Sequence, residues 1–370
     1  MTTNDALSLT KSLLSFQTVM GNERDCARMA GAMLQEWGYS VEHFEHAEGR
    51  TSVVARAGGA ERPLCFTGHL DVVPLGSAKW RKDPFSGETD GDKLYGRGTS
   101  DMKSGVAAML LAARSFSGKL SSTPGIVMVL TAAEEGGCIG SKHLAAQKKL
   151  LGRAGALVVG EPTSNHPMVG HKGSLKFHAH FKGKSAHGSM PHLGVNAVYK
   201  AAKAVSKLEG FKFTASHKIM GKPTLNVGTF AGGSGVNLVP DEAQVGVDIR
   251  TVPGVDHDKL LSKIKKLLGK EADLDVFSNL KPVWTEPDEE WMQRVFAVCK
   301  PFLGKSPGVR TAPYMTDAAN LLKAYAGAPT VVLGPGEAAQ AHQTDEYCSV
   351  ERIREAVAIY EALIRDWIKK

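Results

Sequence analysis

The chain of 370 residues has no apolar run near the roughly 20 residues that a membrane-spanning helix needs. Its first residues, MTTNDALSLTKSLL, lack the basic start, apolar centre and small-residue cleavage site of a secretion signal. The LSLTKSLLSF spacing instead predicts an amphipathic first helix. Cysteine is sparse: Cys26, Cys65, Cys138, Cys299 and Cys348 are scattered, odd in number and without a CxxC pair. That pattern argues against a disulfide framework and for a reducing cytoplasm. Charge of one sign is not concentrated either, the formal net charge being +7. The densest basic run, KIKK at 263–266, lies on a helical pattern with no aromatic interleaving and reads as a solvated face. Neither nucleic acid nor a membrane is therefore an expected partner, whereas a diffuse positive field suits small anionic substrates. Three catalytic signatures are also missing: a GxSxG elbow (Gly232-Gly233-Ser234-Gly235 runs into Val236), a Walker A loop and a GxGxxG fingerprint.

What remains is an ordinary globular composition, 42% hydrophobic and 22% charged, long enough for more than one domain. Up to about residue 170 helical and strand patterns alternate. Helices are expected at 4–16, 22–37 (with Asn22 as a candidate N-cap) and 103–115, and strands at 52–57, 64–67, 126–131 and 156–159. Continuous apolar strands between helices imply a sheet covered on both faces. Near Gly173 the texture changes. Leu175, Phe177, Ala179 and Phe181 alternate with Lys176, His178, His180 and Lys182, the mark of a strand with one wet face. A helix at 195–208, strands at 224–230 and 243–249 and a helix at 257–268 follow. This β-α-β-β-α order ends near Pro282. The first texture then resumes with a helix at 289–300, a strand at 329–333 and a long helix from about 350. The expected fold class is α/β: a discontinuous domain of 1–172 and 283–370 with a mixed, mostly parallel sheet, interrupted by a smaller α+β sandwich at 173–282.

The residues that carry chemistry stand just after the strands, where open α/β sheets place their sites. His69 and Asp71 lie two apart and share a face if extended. The Asp71 carboxylate can then accept one ring N–H and leave the other nitrogen for a metal; alone, the pair could as well be a strand end and a turn. Asp101 sits in GRGTSDMKSG, where it could bridge two ions or cap the helix that follows. Glu134 and Glu135 follow a buried strand; one could ligate while its neighbour faces a water, or both could belong to an acidic turn. Glu161 ends ALVVGEP, and His342 lies in a loop after APTVVLGPG. Charge favours grouping them. Two divalent ions would be balanced by Asp101, Glu135 and Glu161 together with one water-derived anion, with His69 and His342 neutral. Such mixed nitrogen and oxygen ligation suits Zn²⁺, with Co²⁺ or Mn²⁺ as substitutes.

These segments together resemble the M20 metallopeptidase family, which includes acetylornithine deacetylases, succinyl-diaminopimelate desuccinylases, aminoacylases and glutamate carboxypeptidases. The motifs span nearly the whole chain: GHLDVVP (68–74), LYGRGTSDMKSG, TAAEEGG (131–137), GEPT (160–163), GKSAHGSMPHLGVNA (183–197), VNLVPDEA (236–243), DIR (248–250), TDAANL (316–321) and AHQTDE (341–346). The resemblance implies that Asp101 bridges two ions, with His69 and Glu161 completing one site and Glu135 and His342 the other. It implies Glu134 as general base, Asp71 as the residue orienting His69, and His187 as the group reaching the substrate's carbonyl oxygen, in dimers from the neighbouring subunit. Arg250 would contact the substrate carboxylate, with Asn237 nearby. The smaller domain would serve as lid and dimerisation domain. The implied reaction is hydrolysis of the amide of an N-acyl-amino acid. The loop endings look most like acetylornithine deacetylases, and Glu337, just before His342, is a candidate to receive a cationic side chain. Desuccinylation, dipeptide cleavage and a non-catalytic binding relative are the alternatives.

Overall fold

Alternate residues of the strand Ile126–Thr131 face two different helical layers. Ile126, Met128 and Leu130 join one core, whereas Val127 and Val129 join another. The run is apolar from Ile126 to Leu130 because neither face meets water. This computed structural model describes residues 5–369, so Asn4 of the first expected helix lies outside the described span. The chain divides into two units, Met1–Gly170 with Val283–Lys370, and His171–Pro282.

The first unit is built on a six-stranded sheet in the order Ser40–Ala47, Arg50–Ala57, Ile126–Thr131, Leu64–His69, Ala156–Val159, Thr330–Val332. The first three strands pair antiparallel and the rest pair parallel, a mixed sheet with a parallel majority. One face is covered by helices that include Ala6–Leu14, Arg24–Glu36, Ser104–Arg114, Glu290–Leu303 and Val350–Ile368. The other is covered by Ile139–Ala146 and Ala318–Ala324, through Leu144, Leu321 and neighbours such as Tyr325. Packing is close where Ser104–Arg114 meets the end of Ala156–Val159. A Cβ on Gly105 would come within 2.2 Å of the Gly160 carbonyl oxygen, so only glycine lets this helix approach the strand end. The second helix differs in detail from its sequence reading. Arg24–Glu36 has Glu23, not Asn22, at its N-cap position, and no side chain caps it. Asn22 instead takes a left-handed turn at φ 61°, and Glu23 is buried against Arg50.

The second unit is a four-stranded antiparallel sheet in the order Thr224–Gly232, Glu242–Thr251, Gly173–Lys182, Ala272–Leu280. Leu175, Phe177, Ala179 and Phe181 pack with Val245, Val247 and Ile249 against Ala197–Glu209 and His257–Leu268. The strand Ala272–Leu280 is absent from the β-α-β-β-α reading and completes the sheet. Its residues are mostly exposed, because it is an edge strand with one wet face, and the apolar alternation is correspondingly weak.

Candidate metal centre

The first unit's sheet delivers its chemical side chains from loops at the strand ends. His69 is the last residue of Leu64–His69 and is buried. Its Nε2 lies 3.0 Å from Asp101 Oδ1 and 3.9 Å from Glu161 Oε1. Glu161 follows Ala156–Val159 and is also buried. On the other side of Asp101, Oδ2 is 3.5 Å from His342 Nε2, which in turn is 3.1 Å from both oxygens of Glu135. Ligand atoms of His69, Asp101 and Glu161 all lie within 4.8 Å of one another, and those of Asp101, Glu135 and His342 do likewise. The structure therefore brings all five residues together, with Asp101 common to both groups. His342, half exposed, takes a left-handed conformation at φ 65° and opens the cluster to solvent.

Two buried carboxylates outside these groups hold the loops. Glu346 accepts the backbone N–H of Ser100 at 2.8 Å, of Asp101 at 3.0 Å and of Gly98 at 3.0 Å, and pairs with Arg97 at 2.6 Å. Asp101 is thereby fixed from its own backbone, and it does not cap the following helix, whose N-cap position is Lys103. The peptide bond from Asp101 to Met102 is cis. Asp71 departs from its expected contact. Its carboxylate accepts the N–H of Glu134 at 3.0 Å and of Glu135 at 3.1 Å, while His69 Nδ1 donates to the Asp71 backbone carbonyl at 2.9 Å. The carboxylate oxygen nearest that nitrogen is 3.6 Å away, beyond hydrogen-bond range. Asp71 thus orients the ring through its main chain and the acidic turn through its side chain.

Glu134 and Glu135 diverge, as adjacent side chains in this turn must after Ala133 adopts φ 58°. Glu135 faces His342, whereas Glu134 faces Cys138 and Asp317, and the Cys138 thiol donates to it at 3.2 Å. Asp317 is buried and hydrogen-bonded by the Thr131 hydroxyl. Three further residues belong to this neighbourhood without a distinctive sequence pattern of their own: Asp317, Glu346 and Tyr314, whose hydroxyl donates to the Pro162 carbonyl at 2.5 Å. The first two lie inside the quoted TDAANL and AHQTDE blocks, so motif membership was the available signal.

So many carboxylates in one buried place distort one another's titration. Burial pushes Glu134 well up, with the Asp317, Glu135 and Asp71 charges adding to it. Burial and the Asp101 charge push Glu161 up similarly. Burial would raise Asp101 too, but its contacts to His342 and His69 hold it well below the usual carboxylate range. The Asp101 and Glu135 hydrogen bonds raise His342 to about 10. At His69 burial opposes the charged ring, yet Asp101, Glu161 and Asp71 raise it well above ordinary imidazole. Two imidazoles held by carboxylates in this way are sites where a proton and a metal cation compete for the same lone pairs. The donor set of two nitrogens and three carboxylates, with one carboxylate common to both groups, fits two divalent cations of the Zn²⁺ class.

Glu337 does not present a free charge. Its carboxylate pairs with the Arg352 guanidinium and its N–H donates to Ser100 Oγ, so the expectation that it receives a cationic substrate group is not supported. In the second unit, Ala186–His187 pairs with Leu238–Val239, and the Gly188 N–H donates to the Asn237 carbonyl at 2.7 Å. His187 and Asn237 are thus neighbours on one exposed ribbon. Arg250, one-third exposed, bonds Asp248 Oδ2 through Nε at 3.2 Å and Nη2 at 2.9 Å.

A mixed α/β sheet with a buried cluster of histidines and carboxylates at its strand ends defines a class, the metal-dependent hydrolases. The chain belongs to peptidase family M20/M25/M40, whose model matches residues 65–366. It is 30% identical to an acetylornithine deacetylase of Vibrio atlanticus over 94% of this chain and 92% of that one. It is 29% identical to a probable succinyl-diaminopimelate desuccinylase of Staphylococcus epidermidis over 99% of this chain and 98% of that one. Its fold matches an M20 family metallo-carboxypeptidase of Sulfolobus solfataricus with a TM-score of 0.84 at 19% identity, covering 99% and 100% of the two chains.

Proposed function

We propose that this chain is an amidohydrolase that holds two divalent cations and cleaves the amide of an N-acyl-amino acid, with acetylornithine-type substrates as the first choice. The observation that carries the reading is Asp101, common to the His69–Glu161 group and the Glu135–His342 group, with Glu134 near enough to feel the charges of His69 and Glu135. Bound there, the cations would acidify a water and polarise the scissile carbonyl. Zn²⁺ is the ion we assign, with Co²⁺ or Mn²⁺ as functional substitutes. Glu134 takes the water's proton and returns it to the leaving amine.

To His187 we assign a hydrogen bond to the substrate's carbonyl oxygen, delivered in a dimer by the neighbouring copy. The Ser189 N–H donates to His187 Nδ1 at 3.2 Å, so the neutral ring carries its proton on Nε2, a donor suited to an oxyanion. Arg250 and Asn237 would meet the substrate's carboxylate, Arg250 by exchanging Asp248 for it. The second unit would act as lid and dimerisation domain. Its edge strand Thr224–Gly232 is exposed and carries Phe230, 46% exposed, which supports pairing with a second copy. Five free cysteines support a cytoplasmic location, and no helix among the described residues is long and apolar enough to cross a membrane. Desuccinylation is the second reading, favoured by the match of the Staphylococcus epidermidis relative along 99% of this chain.

The test is Glu134→Gln, with cation content measured beside kcat on N-acetyl-, N-succinyl- and dipeptide substrates. The expected outcome is unchanged loading and a kcat lower by about 10²–10⁴. Near-normal turnover would remove Glu134 from the proton-transfer role, and kcat/KM across the panel decides between the acyl groups.

A further inference from the structure

The wet face of the second unit's sheet carries another group of ligand-type side chains, none of them used in the chemistry above. On Gly173–Lys182 the residues Leu175, Phe177, Ala179 and Phe181 enter the core, so His178 and His180 stand together on the opposite face. The antiparallel register sets Asp275 of the edge strand opposite His178 and Asp273 opposite His180. Ligand atoms of His178, His180 and Asp275 all lie within 4.8 Å of one another. Phe277 packs against His178 with ring centroids 4.7 Å apart, which restricts the rotamers of that imidazole. Gly246 stands opposite His178 on the other flank, where an added Cβ would clash with Thr229 Oγ1 at 2.3 Å and meet His178 Cδ2 only at ordinary contact distance, 3.5 Å. Among the described residues, these three side chains have no hydrogen-bond partner that would occupy their lone pairs.

We propose that His178, His180 and Asp275 form a cation site on the second unit, taking a borderline divalent ion such as Zn²⁺, Ni²⁺ or Cu²⁺. The donor chemistry selects that class. Two imidazoles suit these ions, whereas Mg²⁺ and Ca²⁺ require oxygen ligands almost throughout. Rigid strands fix the Cα positions, so binding orders only side-chain torsions, and one of the two rings is already held by Phe277. Small rotations bring the donors to the roughly 2.0–2.2 Å that Zn²⁺ takes with nitrogen and carboxylate oxygen. Three protein ligands leave a coordination position for water or a further donor. The half-buried histidines also keep one side open to solvent, so the ion enters without local unfolding.

Equilibrium dialysis of the full chain against micromolar free Zn²⁺, followed by elemental analysis, tests the site. Wild type is compared with the His178→Gln/His180→Gln double variant, each single histidine variant, Asp275→Asn and, as a control for the hydrolytic centre, Asp101→Asn. The double variant should bind one equivalent fewer than wild type, and Asp275→Asn should weaken that same equivalent. Asp101→Asn should keep it while losing ions elsewhere. The single variants, at half-buried positions on the wet face, supply the answer if the double variant does not fold. Equal stoichiometry in wild type and every histidine variant overturns the proposal. An unchanged count in Asp101→Asn bears on the hydrolytic centre alone.

Discussion

Changing Asp71 to Asn should separate metal loading at His69 from turnover. The substitution preserves volume and leaves the backbone carbonyl that accepts the His69 Nδ1 proton at 2.9 Å. It strikes only the carboxylate that receives the Glu134 and Glu135 N–H groups at 3.0 and 3.1 Å. An asparagine offers one acceptor oxygen, so its NH₂ must face one of those two backbone donors. Asp71 is fully buried, and water cannot fill in for the lost acceptor. A hydrogen bond to a charged group contributes about 1.5–3 kcal/mol, and a buried donor left unpaired costs about 1–3 kcal/mol. The turn relaxes in part, so we expect a net penalty of about 3 kcal/mol on the placement of Glu134, which is roughly a hundredfold in kcat. Displacing Glu135 should also weaken the ion it shares with His342, while the ion held by His69 and Glu161 binds as before. The assay is kcat with Zn²⁺ content titrated ion by ion, with His69→Gln as the loading control. Wild-type kcat together with a large loss of the first ion would refute the reasoning and return the Asp71 carboxylate to His69.

Glu346→Gln should destabilise the fold, because the fully buried carboxylate is the partner of Arg97 and the acceptor of three backbone N–H groups around Asp101. Removing one member of a buried pair costs about 3–5 kcal/mol, read as a lower urea midpoint, and an unmoved midpoint would reject the clamp. His171 should make stability acid-sensitive, since burial lowers it from 6.5 to about 4. The folded chain favours the neutral ring, so its contribution is fully present above pH 6.5 and lost as pH falls through about 4, worth about 3 kcal/mol. Urea unfolding should show wild type losing about 3 kcal/mol more than His171→Leu as pH falls across that range, whereas parallel curves would refute it.

His69 and Glu161 were legible in the sequence because each ends or follows an apolar run that reads as a buried strand, Leu64–Gly68 and Ala156–Val159. The covered sheet was legible for the same reason, and so was the wet-faced strand Gly173–Lys182, whose strict alternation has no other reading. What escaped were contacts made to backbone. The Asp71 carboxylate meets N–H groups 63 and 64 residues away, and backbone donors carry no letter in the sequence. Glu346 escaped likewise, because three of its donors are main-chain groups 245 to 248 residues distant. The edge strand Ala272–Leu280 escaped because a strand that buries only part of one face needs few apolar residues.

These omissions bear on how the centre works. His69, Asp101, Glu135, Glu161 and His342 come from five separate segments, and free side chains of that kind would spread apart under the repulsion of their own carboxylates. Glu346 ties the Asp101 loop to the segment that follows His342, and Asp71 ties the Glu134–Glu135 turn to the segment that follows His69. The Asp71 anchor therefore binds the Glu135 turn of one group to the His69 segment of the other, while Glu346 holds the shared Asp101 against the His342 segment. The distance between the two groups is set by these two buried carboxylates before any cation arrives, which is the preorganisation that a centre of shared ligands needs.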